Sequence, residues 1–316
     1  MRNKVLVIGD ITLDVISNTP RFPIESGKSV ISETLLLEPG GNANTMIMAS
    51  RLGASVDAVG YAGTDMQGDY SLGILEQEGV NTEFIEREGT TTTVITLTDL
   101  KGNHAFHGKP GEGKPLNENI LHQFRWTDYS SVYFSGYSIN DPRTNAICRK
   151  ATDFARANDC KVIIDVGPEF DKLKKAEKRY FMQNVDILLL TEDEIPFTSY
   201  EDIQSIMRAN KHASIIEKRG KRGCVVYLPT GEKENIPAYD VAVVDTSGAG
   251  DSFAGGFIAA LQAGLSVVES SLVANCVGQV KVQKVGCGRE VPTKEEVRLF
   301  CSEFKILLPQ GQKLFT

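Results

Sequence analysis

A chain of 316 residues can form one large α/β domain or two modest ones and can bury a sizeable core. It is 41% hydrophobic and 24% charged, and its net charge of −7 argues against the basic stripe that a nucleic-acid partner requires. No apolar run reaches membrane-spanning length, and the segment from Met1 to Val15 is broken by Gly9 and Asp10, unlike a signal peptide. The six cysteines contain no Cys-x-x-Cys pair. A cytoplasmic protein with reduced, packed thiols and neither a membrane nor a nucleic-acid partner is expected.

Lys4 to Asp10 reads as a buried strand ending in a turn, as the first strand of a parallel sheet does. Residues 28–37 are rich in β-formers. Pro39-Gly40-Gly41 opens a helix from about Ala43 to Leu52, which Gly53 ends. Ala54 to Ala62 is a second core strand, followed by a helix through about Gln77 and a stop at Gly79. Residues 82–88 and 90–98 form a threonine-rich pair of strands. Lys101 to Lys114, with four glycines and a proline, reads as a loop or mobile flap. Within it His104 and His107 have a spacing open to a metal, but they lie outside any usual ligand set.

After Trp126 the rhythm becomes regular. Strands near 131–135, 161–166, 185–190, 213–217 and 223–227 alternate with helices near 142–158, 170–183, 192–198 and 200–210. Such alternation predicts an α/β fold with a doubly wound, mostly parallel sheet covered on both faces. The β-rich segments at 28–37 and 82–98 suit a small side sheet over the C-terminal ends of the main strands. The expectation is a single domain over 1–316, with a lid formed by about 15–38 and 82–114.

One stretch carries the chemistry. Val241 to Val244 run into Asp245-Thr-Ser-Gly-Ala-Gly-Asp251, and from Ser252 the spacing of Phe253, Phe257, Ile258 and Leu261 fits a helix. Small residues at a helix start expose backbone N–H groups that point one way, a natural anion site. A carboxylate there makes sense if Asp251 faces a hydroxyl and takes its proton during phosphoryl transfer. The pattern Asp-Thr-x-Gly-Ala-Gly-Asp-x-Phe-x-Gly-Gly-Phe, complete from Asp245 to Phe257, resembles the C-terminal signature of the ribokinase/PfkB family of carbohydrate kinases. The resemblance implies a ribokinase-like fold with a small β-sheet lid, and Asp251 as catalytic base beside an anion hole of Gly248, Ala249 and Gly250. It also implies ATP and Mg2+ as cofactors, and a homodimer formed through the lid.

Four further segments take roles from the same resemblance. Gly9-Asp10-Ile-Thr-Leu-Asp14 places two carboxylates after a strand end, where open α/β sheets bind ligands. Asp10 and Asp14 suit sugar hydroxyls because a carboxylate accepts several short hydrogen bonds. Pro39-Gly-Gly-Asn-Ala-Asn44 resembles the family's N-terminal signature and implies that Gly41 and Asn44 touch the acceptor, although Asn42 stands where a small residue is usual. Thr191-Glu-Asp-Glu194 stands where the family has Asn-x-x-Glu, and the resemblance implies that Glu194 helps to organise magnesium through its waters. Gly220 and Gly223 match a Gly-x-x-Gly turn bordering ATP, Lys218 at the preceding strand end suits its phosphates, and Asn275 is placed near the adenine.

The resemblance also allows a K+ ion, a monovalent cation held by Asp245, Ser247 and the loop with Gly286 and Glu290. Glu290 departs from the small hydroxyl residue common there. Asp165-Val-Gly-Pro-Glu169 lacks the arginine of the Asp-x-Asn-x-Arg motif found in many hexose-type members. A neutral sugar, ribose- or fructose-like, is therefore the expected acceptor, with a nucleoside as the alternative. A sugar- or nucleotide-binding regulator without catalysis is a further alternative. A dinucleotide oxidoreductase is disfavoured because Gly9 opens no Gly-x-Gly-x-x-Gly turn.

Overall fold

Apolar runs of three to five residues, buried on both faces, build the centre of the molecule, as a parallel sheet between two helical layers requires. The computed structural model describes residues 2–20, 23–99, 104–306 and 314. In chain order come β1 (Lys4–Ile8), β2 (Thr12–Thr19), β3 (Leu35–Gly40), α1 (Asn42–Arg51), β4 (Ser55–Ala62), α2 (Met66–Gln77) and β5 (Asn81–Arg87). Then follow β6 (Thr92–Asp99), β7 (His104–Lys109), β8 (Tyr129–Ser135), α3 (Gly136–Asn140), α4 (Asn145–Ala157), β9 (Lys161–Asp165), α5 (Lys175–Asn184) and β10 (Ile187–Thr191). The chain continues through α6 (Ile203–Ala209), β11 (Ser214–Lys218), β12 (Cys224–Tyr227), β13 (Lys233–Ile236), α7 (Ala249–Gln262), α8 (Val267–Lys281) and α9 (Lys294–Glu303).

Among the described residues, nine strands form the main sheet in the order β13-β12-β11-β10-β9-β8-β1-β4-β5. Every pair from β11 to β5 is parallel, and β12 and β13 close one edge as an antiparallel hairpin. Strand order reverses between β1 and β8, the switch point where open α/β sheets bind ligands. One core joins α1, α2, α7, α8 and α9 to one face of the sheet. A second core joins α3, α4, α5 and α6 to the other. A separate sheet, β3-β2-β6-β7, pairs β2 and β6 in parallel between two antiparallel edges.

The structure corrects four sequence expectations. Residues 82–88 do not join the small sheet: β5 pairs in parallel with β4 at the edge of the main sheet, where Phe84 packs edge-on against Phe124 and Ile85 is buried. Apolar burial there outweighs the threonine-rich continuity with β6. Residues 28–34 form no strand; regular pairing begins at Leu35, where side chains find β2 opposite. Residues 104–109 are a strand hydrogen-bonded to β6 rather than a loop, while 101–103 of that stretch lie outside the described residues. Residues 192–198 wind as a 3-10 turn, because Pro196 inside it cannot donate an α-helical hydrogen bond.

Helices α1 and α7 cross so closely that a Cβ on Gly255 would lie 2.6 Å from the Thr45 carbonyl oxygen and 3.0 Å from the Ala49 nitrogen. The contact fixes the start of α7 against the start of α1. Gly255→Ala is expected to destabilise the protein by about 1–3 kcal/mol through overpacking. Urea unfolding should show a lower midpoint at an unchanged slope.

Candidate active site

Three neighbouring parallel strands deliver Asp165, Thr191 and Lys218 to their C-terminal ends. The Lys218 ammonium donates to both carboxylate oxygens of Asp165, at 2.7 and 2.9 Å. Burial opposes its charge, yet Asp165, Glu194 and Asp251 together hold it above its ordinary value. Burial lifts Asp165 to about 6, against the pull of Lys218. A Cβ built on Gly250 would lie 3.7 Å from Lys218 Nζ, so this ammonium stands beside the first turn of α7.

Gly248, with a left-handed backbone, caps that helix, and Asp251 lies in its first turn. Asn44 on α1 donates Nδ2 to Asp251 Oδ2 at 3.0 Å and accepts the Gly288 N–H at 2.7 Å on Oδ1. Thr45 donates its hydroxyl to the Asp251 carbonyl. Burial pushes the Asp251 carboxyl up, against the Asn44 hydrogen bond and the Lys218 charge. That suits a proton acceptor. The Ala249 N–H turns back to the Thr246 carbonyl at 3.1 Å. The Ala249 amide is thus engaged within the turn that opens α7.

Asp14, on β2, accepts from the Thr12 hydroxyl at 3.3 Å and from the Cys287 thiol at 3.5 Å. Burial lifts its carboxyl to about 6, and the Asp251 charge adds to the effect. Asp10 is held differently. Arg143 donates to it at 2.6 Å while also pairing with Asp141, and Thr92 donates its hydroxyl to the same Asp10 oxygen. Asp10 is thus tied into an internal ion-pair network, which its position in the sequence does not reveal. Arg143 also lies 4.2 Å over the Tyr61 ring. Gly41 caps α1, and the unexpected Asn42 is buried and donates to Ser138 Oγ at 2.8 Å.

Gly220 and Gly223 shape the turn between β11 and β12, closed by the Gly223 N–H to the Gly220 carbonyl at 2.9 Å. Glu194 spends one carboxylate oxygen on the Thr191 N–H at 2.7 Å. Asn275 is buried on α8 and donates to the Pro237 carbonyl at 2.9 Å. Asp245 is buried and accepts the N–H groups of Ser247 and Gly286, at 2.9 and 2.7 Å. Glu290 lies beside Gly286. The Asn44–Asp251, Cys287–Asp14, Arg143–Asp10 and Lys218–Asp165 contacts join residues far apart in sequence, and no local pattern announces them.

Among the described residues no three His, Cys, Asp or Glu side chains form a ready metal cage. Asp165, Glu194 and Asp251 nevertheless surround a single lysine, leaving excess negative charge. That arrangement fits Mg2+, which keeps several waters and binds largely through substrate phosphates.

An amide-rich helix start, a buried carboxylate aimed across it and an ammonium beside it, all at the strand ends of a doubly wound sheet, define a small-molecule phosphotransferase. Residues 2–294 match the pfkB family of carbohydrate kinases, and the chain belongs to that family. It is a carbohydrate kinase, a phosphotransferase acting on an alcohol group. It is 28% identical over 311 residues to an ATP-dependent ribose-1-phosphate kinase of Halopiger xanaduensis, covering 95% of this chain and 98% of the relative. It is 27% identical over 308 residues to the ribokinase of Bacillus subtilis, covering 94% and 98%. An Escherichia coli structure described as a ribokinase II with ATP and Mg2+ shares the fold at a TM-score of 0.82, with 22% identity and coverage of 95% and 99%.

The buried Asp14 carboxyl gives a pH signature. Its value rises from 3.8 to about 6 on folding, so the folded chain binds more protons across that window and loses stability as pH rises through it. Between pH 4 and pH 7 the native protein should lose about 1–3 kcal/mol relative to Asp14→Asn, measured by urea unfolding of both.

Proposed function

We propose that the chain transfers the γ-phosphoryl group of ATP to a hydroxyl of a neutral sugar, ribose- or fructose-like. The observation that carries the reading is the Asn44–Asp251 hydrogen bond, which sets the base at the mouth of the α7 amides. Asn44 engages Oδ2 and orients the carboxylate, so that Oδ1 can accept the proton of an acceptor hydroxyl. The amides of Gly248 and Gly250, with Lys218 alongside, stabilise the charge that develops on the transferring group. Asp14, Gly41 and Asn44 hold the acceptor, while Gly220, Gly223 and Asn275 border the nucleotide. Mg2+ held near Glu194 and the phosphates would neutralise phosphate charge when bound.

The neutral acceptor rests on charge. Glu169 stands where an arginine would meet an acidic sugar, and it accepts from Asn140 and Lys172. Arg143 is already paired with Asp10 and Asp141. The ribose-1-phosphate kinase among the relatives makes the contrast a sharp one, and ADP release across an acceptor panel decides it. Ribose or fructose should exceed ribose 1-phosphate, fructose 6-phosphate, inosine and adenosine; greater turnover on a phosphorylated sugar would overturn the neutral-acceptor reading. Asp251→Asn should fold and bind ATP but lose turnover by about 100-fold or more, the scale of a positioned base. Near-native turnover in that variant removes Asp251 from the mechanism.

The small sheet serves as a lid and pairs two copies into a homodimer. What supports this is an apolar outer face: Leu35 and Leu37 are 68% and 45% exposed, next to Val15 and Ile95 on the paired strands. Soluble monomers rarely leave such a face open. Sedimentation should report a dimer for the native chain and a monomer for Leu37→Glu.

A further inference from the structure

The monovalent-cation loop contains a buried charge of its own. Lys281, the last residue of α8, is fully buried, and its ammonium donates to the Lys284 carbonyl at 3.0 Å. Burial pulls the ammonium below its ordinary value, while Asp245 is the strongest influence opposing that fall and Glu290 adds to it. A charge removed from water persists only where partners compensate the lost hydration. Asp245 is fastened to the same helix end, its N–H donating to the Val282 carbonyl at 3.1 Å while its two oxygens hold the Ser247 and Gly286 amides.

The same loop reaches both working parts of the site. Gly288 donates to Asn44, the residue that orients Asp251. A Cβ on Gly248 would lie 3.3 Å from Cys287 Cβ, so the loop also backs the helix start. A monovalent cation does not fit this arrangement. One loop carbonyl, that of Lys284, is already taken by a buried ammonium, and a second cation brought into the same loop would be repelled by the first.

We infer that the Lys281 ammonium stands in for the monovalent cation, as a tethered positive charge that braces residues 281–290 against the Gly248 turn. The chain then needs no potassium, and Lys281 acts as a positioning residue. The inference rests on the kinase reading only for its catalytic meaning; its structural content can be tested without an acceptor.

Native protein, Lys281→Ala and Lys281→Met are compared in potassium chloride, lithium chloride and tetramethylammonium chloride at equal ionic strength. The readouts are the thermal midpoint and MgADP affinity by calorimetry. Native protein should give the same midpoint and affinity in all three salts. Lys281→Ala should bind MgADP more weakly, and potassium but not lithium should restore affinity and raise its midpoint by about 2 °C or more. Lys281→Met, which fills the space without the charge, should show the loss without the rescue. A native protein stabilised by potassium overturns the inference, as does a Lys281→Ala variant with native affinity in every salt. If neither variant folds, the native response to potassium alone decides. Failure of native protein to bind MgADP in any salt counts against the kinase reading and leaves the thermal comparison standing.

Discussion

The site depends on how closely α1 and α7 approach. With only a hydrogen on Gly255, the α7 backbone rests on the α1 backbone, and the two helix starts meet. Asn44 and Asp251 are then within one hydrogen bond of each other. A carboxylate in the first turn of a helix is ordinarily drawn toward the bare amides there. Asn44 gives it another partner, and Thr45 ties down the backbone behind it. The amides stay available to an anion because the carboxylate is held by a different helix.

Charge is arranged in layers around that contact. Lys218 lies among Asp165, Glu194 and Asp251 and is paired most directly with Asp165. Arg143 plays the corresponding part between Asp10 and Asp141 at the other end of the pocket. Each basic group is ion-paired with carboxylates within the protein, although the buried Arg143 Nη1 has no hydrogen-bond partner. In the proposed reaction the helix amides carry most of the phosphate recognition, since they offer partial charge without a side chain that must be desolvated.

Much of this was legible in the sequence, and the limits have physical causes. Short apolar runs alternating with amphipathic segments marked the parallel strands from β8 to β11, because burial on both faces leaves few choices of side chain. Asp245 to Phe257 identified the anion-binding helix because glycine spacing there answers to local backbone geometry. Pairing partners were harder. Segments 82–88 and 90–98 both read as strands, yet β5 joins the main sheet through Phe84 and Ile85 while the threonine-rich β6 joins β2. Which edge a strand finds is decided by distant residues. For the same reason Asp10 could be read as a candidate ligand, while its pairing with Arg143 could not be foreseen. Lys281 was hidden by its type, since lysine in a helix is ordinarily read as a solvated residue.

The path of the first two strands has a consequence of its own. β1 lies in the main sheet and β2 in the small one, with only Gly9, Asp10 and Ile11 between them. Asp14 therefore travels with the small sheet, whereas Asp251 is anchored to the body by α1. The gap between these two carboxylates is set by the seating of one sheet on the other, and the short connection holds it: Gly9 and Ile11 donate to the Val59 and Tyr61 carbonyls at 2.9 and 3.1 Å, and Asp10 is locked to Arg143.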